Sequence, residues 1–197
     1  MAIAINGSGT MTGISVGGLP DGIVDSGTLA TNSVDSAELI NGAIDAGHLA
    51  SGVGGKLVNE SYVVNTTTTS NTTTTAAASS ISAAITPTSA SNKMIITLHI
   101  QVYRLQTNTG TKLWLYRDIG GAGFSVLGGA VSMYGGYSDA GDDDVHNNVS
   151  LQVEDTSYDS TSEVTYTVYL ALSHGSGTVK VGQNNTPSSI YVQEITV

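Results

Sequence analysis

The chain has 197 residues, of which 11% are charged, and it carries a formal net charge of −10 with six Lys and Arg residues in all. Soluble domains usually have about 25% charged residues, and exposed helix faces are built largely from them, so this composition argues against a helical protein. The basic residues are scattered, which argues against binding to nucleic acid or to an anionic membrane surface. No cysteine is present, which excludes disulfides and thiolate chemistry.

Residues 1–22 are rich in glycine and small apolar side chains. They carry too little hydrophobic surface to fold alone, so we expect a docking segment that becomes ordered only on a partner. Residues 1–12 lack the basic start and continuous apolar core of a signal peptide, and we do not expect one. No run approaches the roughly 18 apolar residues of a membrane span.

Residues 23–55 contain three copies of a ten-residue pattern. Each copy has Val or Ile before Asp and a Leu five residues after that Val or Ile, and the apolar positions are Val24, Leu29, Val34, Leu39, Ile44 and Leu49. Two apolar positions per unit cannot enclose a core, so such repeats need neighbouring repeats or chains to stack on. The pattern predicts a self-associating stem that buries these six side chains against other chains; a flexible linker with chance similarity is the alternative.

Residues 56–197 change to a period of two, which predicts an all-β head domain, a β-sandwich or barrel. The predicted strands are Leu57–Asn65, Ile81–Thr86, Met94–Leu105, Lys112–Asp118, Phe124–Tyr134, Asn148–Val153, Glu163–Leu172, Val179–Val181 and Ser189–Val197. Residues 65–75 hold Thr at eight positions and few apolar side chains, which favours a solvated edge strand over a loop.

Alternation is clearest in three of these strands. It places Ile96, Leu98, Ile100 and Val102 on one face of the third strand, and Tyr166, Val168, Leu170 and Leu172 on one face of the seventh. In the fourth strand, Leu113 and Leu115 alternate with Lys112, Trp114 and Tyr116. We interpret the shared face of Trp114 and Tyr116 as a packing surface, within the chain or across a subunit interface.

The sequence contains no nucleophile elbow, phosphate loop or dinucleotide fingerprint, so we expect no enzyme activity, no catalytic residue and no cofactor. The four histidines, His48, His99, His146 and His174, have no second ligand at helical spacing, and we interpret them as ordinary surface or strand residues. The run Asp142-Asp143-Asp144 offers carboxylates to a hard cation such as Ca²⁺. Its spacing is not that of an EF-hand loop, so we favour a solvated acidic loop and expect no metal site.

The stretch from Tyr134 to His146 is the candidate recognition loop. It interrupts the strand pattern for more than ten residues, and loops of that length in compact domains are usually functional or disordered. Its candidate binding residues are Tyr134, Tyr137, Asp142, Asp143 and Asp144. Tyrosines supply contact area at low entropic cost, and the carboxylates can accept sugar hydroxyls or hold a cation.

Several segments resemble small fibre and virion structural proteins of tailed bacteriophages. Those segments are residues 5–14, residues 17–22, the Val-Asp-Ser-Ala-Glu-Leu type repeats, residues 86–93, residues 154–156 with 164–166, and residues 188–195. The family usually has Pro after the Asp155-Thr156 pair, and Ser157 stands there in this chain, so that loop differs from the family pattern.

The resemblance implies a homotrimer with an N-terminal virion-docking part, a stem, and a distal jelly-roll-like β-sandwich head. It implies a protein that binds other virion proteins and a host-surface glycan or protein, located on the virion after assembly in the host cytoplasm. A capsid decoration, cement or adaptor protein with a purely structural role is the alternative. A polysaccharide-degrading enzyme is the third class, and it requires two carboxylates about 5–10 Å apart in a cleft.

Overall fold

A computed structural model describes residues 57–105, 109–127, 132–138, 144–174 and 176–197, together with two short strands near the N-terminus; for residues 132–138 and Asp144 it describes the backbone alone. The chain divides into two compact units, Met1–Val53 and Gly54–Val197. In the first unit, β1 (Ala4–Ile5) pairs with β2 (Met11–Thr12) in antiparallel fashion. The stem over residues 23–55, its six apolar positions and its trimeric assembly lie outside the described residues and stay predictions.

Apart from one 3-10 turn, all regular structure in the described second unit is antiparallel strand, which confirms the all-β prediction. The strands are β3 (Leu57–Asn65), β4 (Thr69–Asn71), β5 (Ala77–Ile85), β6 (Lys93–Leu105), β7 (Thr109–Ile119), β8 (Ser125–Val126), β9 (Ser132–Ser138), β10 (Asp144–Asp155), β11 (Val164–His174), β12 (Thr178–Val181) and β13 (Ser188–Ile195). A 3-10 turn at Gln183–Asn185 precedes β13. Among the residues that the structure describes, no helix is long and apolar enough to cross a membrane.

These strands form two sheets whose order is that of a jelly roll. Sheet I has the order β3-β13-β6-β10. β13 and β12 follow one another along the same edge of β6, where β13 pairs with its first half and β12 with its last four residues; β4 pairs with the other edge of β12. Sheet II has the order β5-β11-β7-β9, with β8 beside β9 along β7. Two sheets of four main strands with this connectivity build the double Greek key of a jelly-roll sandwich. The structure thus confirms the predicted jelly-roll-like β-sandwich head.

The hydrophobic core lies between the two sheets, because alternate side chains of each strand point inward. All the apolar positions predicted to share a face are buried: Ile96, Leu98, Ile100 and Val102 in β6, Leu113 and Leu115 in β7, and Tyr166, Val168, Leu170 and Leu172 in β11. Burying one such side chain stabilises the fold by about 1.5–3 kcal/mol.

The Thr-rich segment is partly a strand. β4 occupies its middle and, among the described strands, pairs only with β12, so it is an edge strand as favoured, while residues 66–68 and 72–75 are not in strands. Asn71 is the buried residue that fixes this segment. Its side-chain amide donates hydrogen bonds to the carbonyls of Thr75 and Leu170, both at 2.8 Å, and its oxygen accepts the amide of Thr73.

Two predictions in the region of β8 and β9 are wrong. The single strand Phe124–Tyr134 is divided into β8 and the start of β9, and the stretch from Tyr134 to His146 is not one continuous loop. Tyr134 and Tyr137 lie in β9, and Asp144 and His146 lie in β10.

The physical reason for the second error is a β-bulge. Gly110 pairs with Tyr137 and Lys112 with Tyr134, so the pair Gly135-Gly136 lies opposite Thr111 alone. Glycines in a strand interior often mark such bulges. In the sequence, the Gly135-Gly136 pair therefore makes this part of β9 resemble a loop.

Candidate functional site

Two buried carboxylates in the head are fixed by hydrogen bonds. Glu194 in β13 is fully buried and accepts the backbone amides of Thr88 and Ser89, the Thr88 hydroxyl at 2.9 Å and the Asn92 amide at 2.7 Å. Burial by itself raises the pKa of Glu194, but these hydrogen bonds outweigh it and hold the pKa below its ordinary value. Tyr158 closes the same cluster, because its hydroxyl donates to the carbonyls of Asn92 and Ser89.

Asp155, the last residue of β10, is the second fixed carboxylate. Arg117 donates to both of its oxygens at 2.8 Å, the Tyr166 hydroxyl donates at 2.8 Å, and the Ser157 amide donates at 3.0 Å. Burial, followed by the charge of Asp155 and the hydrogen bond to it, raises the pKa of Tyr166 well above its usual range.

Both clusters belong to segments that carry the sequence resemblance. Residues 86–93 wrap the Glu194 carboxylate, and residues 154–157 with Tyr166 surround Asp155. Their donors and acceptors are already engaged with each other, so these residues anchor loops to the sandwich. Tyr158 is influenced by both carboxylates. Burial, followed by the charges of Glu194, Asp155 and Asp159, raises the pKa of Tyr158 to about 12, so its hydroxyl stays neutral.

The outer face of sheet I carries a shallow pocket of about 140 Å³. It is lined by His99, Ile100, Gln101, Asn148, Ser150 and Pro187. Register produces this grouping, because His99 pairs with Ser150 and Gln101 with Asn148 across the β6–β10 ladder. Residues directly opposite each other on one face lie about 5 Å apart, so four polar side chains converge on one point.

Internal hydrogen bonds preset part of this pocket. His99 Nδ1 and Ser150 Oγ lie 2.9 Å apart, and the backbone N–H of Gln101 donates to Ser188 Oγ at 3.0 Å. His99 and Asn148 are exposed to solvent. A hollow with amide, imidazole and hydroxyl groups can exchange hydrogen bonds with a ligand that carries several hydroxyls.

Aromatic rings lie on the next row of the same face. The rings of Tyr103 and His146 have centroids 4.5 Å apart, and the Lys180 ammonium lies 5.6 Å from the Tyr103 ring. His146 pairs with Tyr103 and Asn148 with Gln101, so this row directly adjoins the pocket. Tyr103 is 5% exposed, so the exposed ring that borders the pocket is that of His146.

The outer face of sheet II carries a separate aromatic group. Tyr116 and Tyr169 stack with centroids 3.8 Å apart, Phe124 lies 6.0 Å from Tyr169, and Lys112 lies 4.9 Å above Trp114. Trp114 and Tyr116 share one face as predicted, alternating with the buried leucines of β7. The stacking of Tyr116 on Tyr169 is packing within the chain.

Three of the five candidate recognition residues lie on β9 and β10, two strands that are in contact at one edge of the sandwich. Tyr134 and Tyr137 pair with β7 in sheet II, whereas Asp144 pairs with Leu105 in sheet I. Asp142 and Asp143 lie outside the described residues, so binding by this group stays a prediction. Over the described part of the chain, no cluster of three or more His, Asp or Glu residues has the geometry of a metal site.

Sequence analysis missed the pocket residues because each is unremarkable alone. Alternation places His99 on the polar face of its strand, and that position is correct. The missing information is that β10 lies beside β6, with Ser150 opposite His99. Polar residues at alternating positions of both strands were the one available signal.

Comparison with known proteins extends this description little. No family model matches the chain, and no curated protein matches it. The chain is similar to a solved structure of the Gx strain of infectious bursal disease virus, with 13% sequence identity and a TM-score of 0.26. The match covers 70% of this chain and 38% of the other, so the chain spans well under half of that viral chain. The fold is therefore assigned from the strand order and register described above.

Proposed function

We propose that the chain is a virion structural protein of a tailed bacteriophage, a homotrimeric fibre that acts by binding and not by catalysis. Residues 1–22 dock to the particle, residues 23–55 form the trimeric stem, and the jelly-roll head attaches the virion to the host surface. Support comes from the phage-fibre resemblance of the sequence together with the jelly-roll head. The protein is assembled in the host cytoplasm and resides on the virion.

The pocket on the outer face of sheet I is the observation that favours attachment over a purely structural role. Its polar groups, Gln101, Asn148 and the His99–Ser150 pair, offer donors and acceptors to hydroxyls. The neighbouring His146 ring, which is exposed and lies against the buried Tyr103, offers a surface to the apolar face of a sugar ring. The ligand class that fits these groups is a host-surface glycan.

The test measures binding of host-surface glycan to the full-length chain and competition of that chain with particle adsorption. The double variant Gln101→Ala, Asn148→Ala should weaken binding about tenfold or more, because each lost hydrogen bond is worth about 0.5–1.5 kcal/mol. Gln193→Ala is the matched control, since Gln193 lies on the same outer face opposite Ile95 and away from the pocket. Equal binding by the double variant and wild type would overturn the assignment of the pocket.

A parallel variant addresses the acidic segment. Tyr137→Ala, Asp142→Ala, Asp143→Ala should reduce adsorption if this segment makes the contact, and a chelator should mimic the loss if it holds a cation. Normal adsorption by particles that lack the protein, with reduced particle stability, would instead favour the decoration or cement role.

A further inference from the structure

We propose that the glycan site extends beyond the pocket onto an aromatic platform, Tyr62 with Tyr191, and that its ligand is a neutral oligosaccharide long enough to cover both. The proposal deepens the proposed function, because it rests on binding of a host-surface glycan by the pocket. It names the chemical class of that glycan and two further residues that contact it.

The platform is an exposed pair of tyrosine rings held in a fixed arrangement. Tyr62 in β3 leaves most of its ring in solvent, with 63% of the residue exposed. The Tyr191 ring in β13 meets it edge to face, with centroids 5.7 Å apart. The Tyr191 hydroxyl donates to the Glu60 carboxylate, which holds the Tyr191 ring in place. Tyrosines preset in this way lose little conformational entropy when a ligand covers them, so the pair is a prepared contact surface.

Strand register joins the platform to the pocket. Tyr62 pairs with Tyr191, and Tyr191 pairs with Thr97 in β6. His99, which lines the pocket, is the next residue of β6 on the same face. On β13, Ser189 pairs with His99 and precedes Tyr191 by two residues, so it lies between the two parts. The platform and the pocket are therefore neighbouring parts of one outer face.

Polar side chains accompany the rings across this face. Gln152 in β10 is exposed and pairs with Thr97, and its side-chain amide donates to the Thr97 hydroxyl at 3.2 Å. The Ser189 hydroxyl is half-buried beside His99. Hydroxyl and amide groups next to aromatic rings are the combination that orients a ligand while covering its apolar surface. Sugar rings offer both kinds of surface, with hydroxyls at their edges and apolar C–H groups on their faces.

The distance between the two parts sets the size of the ligand. Neighbouring strands of a sheet lie about 4.8 Å apart, so in the order β3-β13-β6-β10 the first strand lies roughly 14 Å from the last. The pocket is lined mainly by β6 and β10, whereas Tyr62 lies on β3. One sugar ring in the pocket therefore leaves the platform uncovered, and a chain of several sugar units covers both.

Charge indicates a neutral sugar chain. The Glu60 carboxylate lies beside the platform, and the protein has a net charge of −10. Among the described residues on this outer face, the Lys93 ammonium lies 3.2 Å from Glu154 and the Lys180 ammonium lies 5.6 Å from the Tyr103 ring. Like charges that meet at an interface are disfavoured, so an acidic sugar chain would be repelled.

The test compares fragments of host-surface polysaccharide that differ in length and charge. The polysaccharide is cleaved by mild acid, and the fragments are separated by anion exchange into neutral and acidic pools and then by size. Titration calorimetry measures each fraction against the full-length chain. Neutral fragments should bind about tenfold more tightly once they are long enough to cover the platform, and acidic fragments of equal length should bind more weakly. Preference for the acidic pool, or an affinity independent of length, would overturn the proposal.

Variants of Tyr62 assign the gain with length to the platform. Tyr62→Ala should abolish the gain and leave the affinity for the shortest bound fragments unchanged, whereas Tyr62→Phe keeps the ring and should keep the gain. Because Tyr62 is mostly exposed, neither variant should unfold the head. Phe124→Ala is the matched control, since Phe124 is 41% exposed and lies against Tyr169 on the outer face of sheet II. A gain retained by Tyr62→Ala, or lost equally in Phe124→Ala, would contradict the platform.

The pocket variant Gln101→Ala, Asn148→Ala separates failure of this proposal from failure of the proposed function. It should weaken the binding of every neutral fragment, short or long, because it acts at the pocket itself. If it does so while Tyr62→Ala binds all fragments like wild type, the pocket stands and the platform is wrong. If wild type binds no fraction of the host polysaccharide, glycan attachment and the platform are both wrong.

Discussion

Glu194 is the clearest example of a residue whose structural role cannot be predicted from the sequence around it. A fully buried carboxylate is costly unless hydrogen bonds replace its hydration shell, and the loop at residues 86–93 supplies them from Thr88, Ser89 and Asn92. In the sequence, Glu194 occupies an ordinary position in an alternating strand. Its burial follows from a loop that lies about a hundred residues earlier, and no local pattern encodes this contact.

Glu194→Gln should therefore destabilise the head by about 1–3 kcal/mol at about pH 7, since an amide cannot accept all the donors that face it. The folded-state pKa of Glu194 lies below its ordinary value of 4.5, so its stabilising contribution is present above about pH 4.5 and is lost as the pH falls through the folded-state value. The free energies of unfolding of wild type and variant should converge on acidification. Urea unfolding at about pH 7 and at about pH 3.5 measures both effects.

Glu154→Gln serves as the control for this prediction. Glu154 is half exposed and pairs with Lys93 at 3.2 Å, so its replacement should cost less than about 1 kcal/mol. A Glu194→Gln head as stable as the Glu154→Gln head at neutral pH would contradict the anchoring role.

Strands with strict alternation are the elements that the sequence predicts well. The bounds predicted for β3 agree with the structure, and those of β6 differ by one residue at its start. β5 begins at Ala77, four residues before its predicted start, because Ala and Ser give no hydrophobic alternation there. β9 is not predicted correctly, because its Gly135-Gly136 pair resembles a turn in the sequence. The pairing with β7, which identifies the pair as a bulge, is known only from the structure.

The two faces of β6 should respond oppositely to truncation. Leu98→Ala should destabilise the head by about 2–5 kcal/mol, because Leu98 is fully buried between the sheets and its loss leaves a cavity. The neighbouring Thr97→Ala, on the outer face, should change stability by about 0.5 kcal/mol or less. Thermal or urea unfolding of both variants measures the contrast, and similar losses would contradict the inward orientation of Leu98.

At the scale of the molecule, composition and period predict the class of fold, while the site depends on which strands become neighbours. His99 and Ser150 are brought together by the β6–β10 pairing, and Tyr62 and Tyr191 by the β3–β13 pairing. These pairings join segments distant in sequence, so the pocket and the Tyr62–Tyr191 contact could not be derived from any window of residues.

A shortened chain that begins at Gly52 tests whether the head folds by itself and whether residues 1–22 are needed for docking. The head should unfold in a single cooperative transition, since its core is formed within residues 57–197. It should fail to join particles, because the proposed docking segment, residues 1–22, is missing. Incorporation at the wild-type level, measured on purified virions, would move the docking site into the head.

The central position of β13 has a consequence for the timing of synthesis. β13 lies between β3 and β6, and Tyr191 bonds to Glu60, 131 positions earlier in the chain. β13 is the one hydrogen-bonded strand neighbour of β3 among the described residues. β3 therefore has no strand partner until residues 188–195 have left the ribosome. Such long-range pairing is slow to form. Residues 23–55 emerge before the head, so nascent chains of the proposed trimer would have the opportunity to meet through their repeats while every head is still incomplete, and three heads would then mature side by side.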